Sequence, residues 1–219
     1  SRLDTEENNL HEITNLMIRV GRIQMVLMGL LMIGLITLGK EFIQLWMGND
    51  FKESYYIFVL LIAPGFITLT QEIAYTYLFV KNELKYRAIM FVTAALLSVV
   101  VSVVLAPHYG ALGCAIGIFT ATMLCHVVGM NYIYWKVIKL EIPRFFKECF
   151  LNMLIPLFLT FIFGFVLNYI FIANNFFLFG SKIILLTFFY CIMMWLVALR
   201  MDEKQLIKEI LTRFNPFVF

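Results

Sequence analysis

Few residues of this 219-residue chain combine a polar or reactive side chain with a setting that gives it work. Glu72, next to Gln71, is the acidic residue set inside a long apolar run. An ionised carboxylate at membrane depth costs roughly 2.5–3.5 kcal/mol on insertion scales, so such a group faces a cavity or a partner. Its chemistry there would be cation or proton coupling, or a polar contact along a transport path. The competing reading is a protonated carboxyl hydrogen-bonded to a neighbouring helix. Pro64-Gly65 precedes it by two turns and is expected to bend the helix. An acid beyond a helix break is a common transporter arrangement. His126 and Asn131 form a second candidate pair on another apolar run, as a proton relay or as hydrogen-bonded packing residues. Arg22, Lys81, Lys85 and Arg87 stand where apolar runs meet polar segments. Cations there attract anionic lipid headgroups, each worth about 1 kcal/mol, or simply orient the chain.

No constellation for catalysis accompanies these groups. His11, His108 and His126 are scattered, and no paired acids, metal-ligand spacing or glycine-rich phosphate loop occurs. No metal and no cofactor is expected, and an enzyme is disfavoured. Cys114, Cys125, Cys149 and Cys191 form no C-x-x-C pair and read as small apolar side chains. Gly113 and Gly117 make a G-x-x-x-G continued by Ala121, a close helix-packing face.

The elements that must hold these residues follow from composition. Hydrophobic residues make up 62% of the chain and charged ones 14%. A soluble domain has roughly 45–50% and about 25%. A water-soluble fold of this length would expose the apolar excess, whereas a bilayer dissolves it. Net charge is +3, with the basic residues dispersed, so nucleic acid is not a partner.

Apolar runs predict six transmembrane helices, at about 23–39, 54–80, 88–106, 111–135, 150–172 and 183–199. A polar cytoplasmic segment at 1–22 precedes them and a cytoplasmic tail at 200–219 follows. Pro107-His108-Tyr109-Gly110 reads as a tight turn between the third and fourth spans. In the tail, Leu206, Ile207, Ile210, Leu211 and Phe214 share one helical face, which suits an amphipathic helix on the membrane surface or a short solvated helix packed on a loop. The chain begins with Ser1 and a polar stretch, as expected for a piece of a longer protein.

Six spans sort the loops onto two sides. Of the 17 Lys and Arg residues, only Lys40, Lys52 and Lys182 fall opposite the N-terminus. The positive-inside rule then places both visible ends in the cytoplasm. No Lys or Arg is expected deep in the membrane.

The order of motifs resembles the C-terminal half of bacterial polysaccharide flippases of the Wzx type, in the multidrug/oligosaccharidyl-lipid/polysaccharide exporter superfamily. The resemblance rests on P-H-Y-G-A-L-G-C-A-I-G at 107–117, where Pro107, Tyr109, Gly110, Gly113 and Ala115 match a Pro-x-Tyr-Gly turn and a small-residue helix start. It rests also on S-R-L at 1–3 and on a helix closing in F-I-Q-L-W-M-G at 42–48.

The resemblance implies six helices forming most of one lobe of a two-lobed, MATE-like exporter. It implies a missing N-terminal lobe, membrane lipids around the bundle, and residence in the bacterial inner membrane. The substrate would be an oligosaccharide on undecaprenyl diphosphate, flipped by alternating access in surface polysaccharide or O-antigen (lipopolysaccharide) biosynthesis. A cation-coupled multidrug exporter of the same superfamily is the alternative, with Glu72 as a coupling residue. A membrane enzyme of polysaccharide assembly is a further one, but the loops opposite the N-terminus are short and carry few acids.

Overall fold

The computed structural model describes residues 2–171, 175–201 and 203–205, with side chains from residue 9 onward except that of Asn152. Every regular element among them is helical. Helix α1, Arg2–Met47, holds no proline and runs unbroken from the polar N-terminal segment through the first apolar run. Gly48 (φ 90°) ends it, and a 3-10 turn at Asn49–Phe51 leads into α2, Lys52–Leu69. Helix α3 follows at Glu72–Val80 and α4 at Leu84–Thr122. A π-helical segment, Met123–Gly129, joins α4 to α5, Met130–Lys136. The short α6, Ile142–Phe146, passes through a second π segment, Lys147–Leu151, into α7, Asn152–Ile170. Helix α8, Phe176–Met193, ends in a third π segment, Met194–Ala198.

Five helical stretches are long and apolar enough to cross a membrane: Asn9–Met47, Asn49–Leu69, Leu84–Lys136, Met153–Ile170 and Phe176–Ala198. The count differs from the six expected because the third and fourth spans form one helical run. That run reverses at Gly110, whose φ of 57° favours a residue without Cβ. The two arms are antiparallel. Gly113 lies against the backbone of Leu105, Gly117 against that of Ser102, and Gly129 against Met90. A Cβ on Gly117 would fall 2.8 Å from the Ser102 nitrogen, so the small-residue stripe does serve close packing. Pro107 and the exposed Tyr109 lie at the bend, still in helical backbone.

The break in the second span also falls elsewhere than expected. Pro64 is buried inside an intact α2, and the helix stops six residues later, at Thr70-Gln71. There the Thr70 hydroxyl donates to the Ile67 carbonyl (2.7 Å) and the Gln71 amide donates to Thr68 (3.2 Å). These tighter bonds replace the α-helical ladder, and α3 starts afresh from the Gln71 carbonyl.

Helix α1 forms the spine. Met17, Met25, Ile33 and Leu38 are buried in one cluster with Phe145, Met153, Leu186 and Tyr190. Tyr190 donates to the Val26 carbonyl (2.6 Å), and Gly164 lets α7 close on Thr37. Outward-facing residues such as Leu27, Leu31, Val99 and Val103 are exposed and apolar, a surface that lipid rather than water solvates. The chain is therefore a helical membrane protein.

Two cations are buried inside the bundle. Arg22, 1% exposed, lies within the first candidate span, and Lys182, 2% exposed, within the last. Lys182 donates to both Glu41 oxygens (2.8 and 2.7 Å) and to Asn168 (3.1 Å). Glu41 lies inside a candidate span, whereas Glu72, at the start of α3, lies outside all five and not within a second span as expected. Each cation is offset by a carboxylate, as burial of charge requires. The amphipathic stripe from Leu206 to Phe214 lies outside the described residues.

Candidate functional site

One polar cavity, about 410 Å³, opens between α2–α3 and the folded-back run of α4 and α5. Three stripes of side chains at helical spacing line it. Thr68, Leu69, Gln71, Glu72 and Tyr75 come from the break and its flanks. Arg87 and Phe91 come from the first turns of α4. Thr122, His126, Met130 and Tyr134 come from the returning arm. The last set spans the π segment, whose wider turn keeps residues four apart in line.

Within this cavity an aromatic ladder fixes the one lining cation. The Arg87 guanidinium lies 3.5 Å above the Tyr75 ring centre and 5.3 Å from that of Phe91. Phe91 meets the His126 ring edge-on, with centres 4.3 Å apart. Stacking of this kind is worth about 0.5–2 kcal/mol and holds the guanidinium by its face. Arg87 Nη1 is shielded from solvent and has no hydrogen-bond partner. Gln71, itself buried, donates to Asn131 across the wall (2.7 Å), and Asn131 donates to the Val127 carbonyl inside the π segment (2.7 Å). Two irregular stretches of backbone are thus tied to each other beside the cavity. Glu72, exposed to solvent, lines the cavity with no side-chain hydrogen bond among the described residues, and its carbonyl accepts from Thr76 (3.0 Å).

The structure therefore unites residues that the sequence offered separately. Gln71, Glu72 and His126 share the cavity with Arg87, and Asn131 backs it. Tyr75, Phe91 and Tyr134 complete it and were not singled out from sequence. The signal was there, because Tyr75 follows Glu72 by one turn and Phe91 follows Arg87 by one turn.

The remaining rim residues divide. Lys81 and Lys85 are exposed; Lys81 sits 5.5 Å from the Tyr77 ring centre and Lys85 pairs with Glu83 at 2.9 Å. Arg22 is not a headgroup ligand. Its guanidinium donates to both oxygens of Glu203 (2.5 and 3.0 Å), to the Ala198 carbonyl (2.7 Å) and to the Glu148 carbonyl (3.1 Å). It caps the C-terminal end of α8 and joins it to α1, where a cation suits the helix dipole. Burial is the largest influence on the Glu203 carboxyl and raises it, but the hydrogen bonds from Arg22 and the Arg200 amide, with both guanidinium charges, together outweigh it and the pKa lies below the ordinary value.

Nearby, Arg144 donates to Glu141 (3.0 Å), Glu148 (2.8 Å) and Asn15 (2.9 Å), tying α6 to the polar start of α1. Its hydrogen bonds hold both carboxylates below their usual pKa.

A second cavity, about 280 Å³, lies between α1, α2 and α7 and is lined by Gly29, Phe66, Leu157 and other apolar residues. It carries no group for chemistry. Among the described residues no three His, Cys, Asp or Glu side chains gather as metal ligands.

No protein-family model matches the chain, and no curated protein and no solved structure matches it either.

Proposed function

We propose that this chain is part of a membrane transporter that flips a lipid-linked oligosaccharide, carried on undecaprenyl diphosphate, across a bacterial inner membrane. The observation that carries the reading is Arg87. A guanidinium is stacked by its face on Tyr75, with a shielded Nη1 left unpaired, inside a cavity beside the basic Lys81–Arg87 stretch at the start of α4. That geometry suits a diphosphate, which takes the planar donor edge of arginine. The basic loop belongs to the side that the charge pattern makes cytoplasmic, where such a substrate is loaded. The motif order of the sequence supports the same family. In this reading the six membrane crossings form most of one MATE-like lobe, and alternating access arises between it and a partner lobe. Undecaprenyl-linked repeat units are the substrate and surface polysaccharide the end product.

The test is chromosomal replacement of Arg87 by Gln in the gene that encodes this chain. The expected result is loss of most surface polysaccharide, with lipid-linked repeat units accumulating on the inner leaflet and protein levels unchanged. Normal polysaccharide in that strain removes the reading.

One observation favours a second reading. Glu72 shares the cavity, and an unpaired carboxylate there suits a cation-coupled exporter of the same superfamily. Efflux that depends on a proton or sodium gradient and is abolished by Glu72→Gln would select it; efflux indifferent to both gradients excludes it.

A further inference from the structure

Resting on the lipid-linked-sugar reading above, we propose that the Arg87 cavity selects a zwitterionic headgroup: a phosphate beside a sugar that bears a free amine. Opposite charges in one small cavity ordinarily collapse onto each other. Here they do not. Arg87 lies flat on Tyr75, its Nη1 without a partner, and the exposed Glu72 makes no side-chain hydrogen bond among the described residues although it lines the same space. Glu72 also complements the N-terminal dipole of α3, since it opens that helix. The dipole accounts for an acid at this position; it does not account for a free cation held apart from it.

The cavity therefore presents a cation and an anion that are not paired with each other. A purely anionic headgroup would satisfy Arg87 and be repelled by Glu72. A headgroup that carries both a phosphate and an ammonium satisfies both. A 2-amino sugar joined through its anomeric carbon to a diphosphate carries both charges on one ring. The walls suit a sugar ring as well, because Tyr75, Phe91 and Tyr134 offer flat apolar faces. At about 410 Å³ the cavity lies within the size range of small-ligand sites, which suits one sugar with its phosphate.

The experiment compares two probes at neutral pH on the whole chain in lipid nanodiscs. They are polyprenyl diphosphate glucosamine and polyprenyl diphosphate N-acetylglucosamine, which differ by one ammonium group. The expected result is about ten-fold tighter binding of the free amine, the scale of one charge-assisted hydrogen bond. Glu72→Gln should equalise the two, Glu72→Asp should keep the preference, and Arg87→Gln should weaken both alike. Equal binding by the unmodified chain, or a preference that survives Glu72→Gln, overturns the amine assignment alone. Failure of the folded chain to bind either probe overturns the lipid-linked-sugar reading together with it.

Discussion

A methyl group on Gly21 would sit 2.7 Å from the carbonyl oxygen of Thr70, so the spine helix touches the backbone of the break between α2 and α3. The Phe145 ring closes the same spot at 2.9 Å. Gly21→Ala must push one of these neighbours away, and the overpacking should cost about 1–3 kcal/mol. Because Gln71 follows Thr70 directly, the shift should also weaken the Gln71–Asn131 bond and loosen the cavity wall. Thermal unfolding in detergent, with hydrogen exchange across residues 68–75, reads both effects. An unchanged melting temperature would mean that α1 does not seat the break.

The Arg22–Glu203 pair should respond as a buried ion pair. Arg22→Met leaves Glu203 without its main partner, and Glu203→Leu leaves a buried guanidinium bonded only to carbonyls. Each single change should cost about 3–5 kcal/mol, whereas the double change to apolar residues should recover much of the loss. Arg22→Lys should not restore stability, since a single ammonium cannot reproduce the planar fork. A double-mutant cycle on unfolding free energy measures the coupling, and simple additivity would contradict it.

Acid should loosen the polar end of the bundle. Glu141, Glu148 and Glu203 all have folded pKa values below their ordinary ones, through Arg144 for the first two and Arg22 for the third. A carboxyl depressed in the folded state adds stability above its unfolded pKa, and that stability is lost as pH falls through the folded value. The contribution should thus be complete above about pH 5 and fade below about pH 4. Hydrogen exchange in α6 and in the first turns of α1 should rise over that window. The pair Glu141→Gln with Glu148→Gln should remove most of the pH dependence there.

The reversal at Gly110 sets a topology that chemical labelling can check. Cysteines placed at Tyr109 and at Lys139, in a background lacking the native ones, should react with an impermeant maleimide from opposite sides of the membrane. Reaction from the same side would mean that the Leu84–Lys136 run does not fold back across the bilayer.

Membrane character, the folded-back pair of helices and the packing role of Gly113 and Gly117 were legible in the residues. Length and hydropathy set them locally, and a small-residue stripe has few other uses. The burial of two cations was not legible. Arg22 looks like a rim residue because its partner, Glu203, is 181 positions away. Lys182 looked like a loop residue because Gly180 reads as a turn, yet it lies in α8 and meets Glu41 from the far end of α1. The helix break was misplaced for a different reason. Proline announces itself in a sequence, while the hydroxyl of Thr70 bonding back to Ile67 does not. Arg87 was legible as a cation at a rim, but its stacking on Tyr75 depends on how α3 and α4 approach, which only the fold decides.

The two buried ion pairs have a consequence for bilayer thickness. Arg22 and Glu41 stand about 28 Å apart along α1, close to the depth of a hydrocarbon core. Each is bound to a partner on α8 or just past its end. The two helices are thus pinned together near both faces of the membrane. A thinner or thicker bilayer can be met by α1 and α8 only through tilting as one body, since neither can slide against the other without stranding a charge. The α2–α5 part, which holds the cavity, carries neither pair and meets α1 through packing at Gly21 and the Tyr55–Ile36 hydrogen bond.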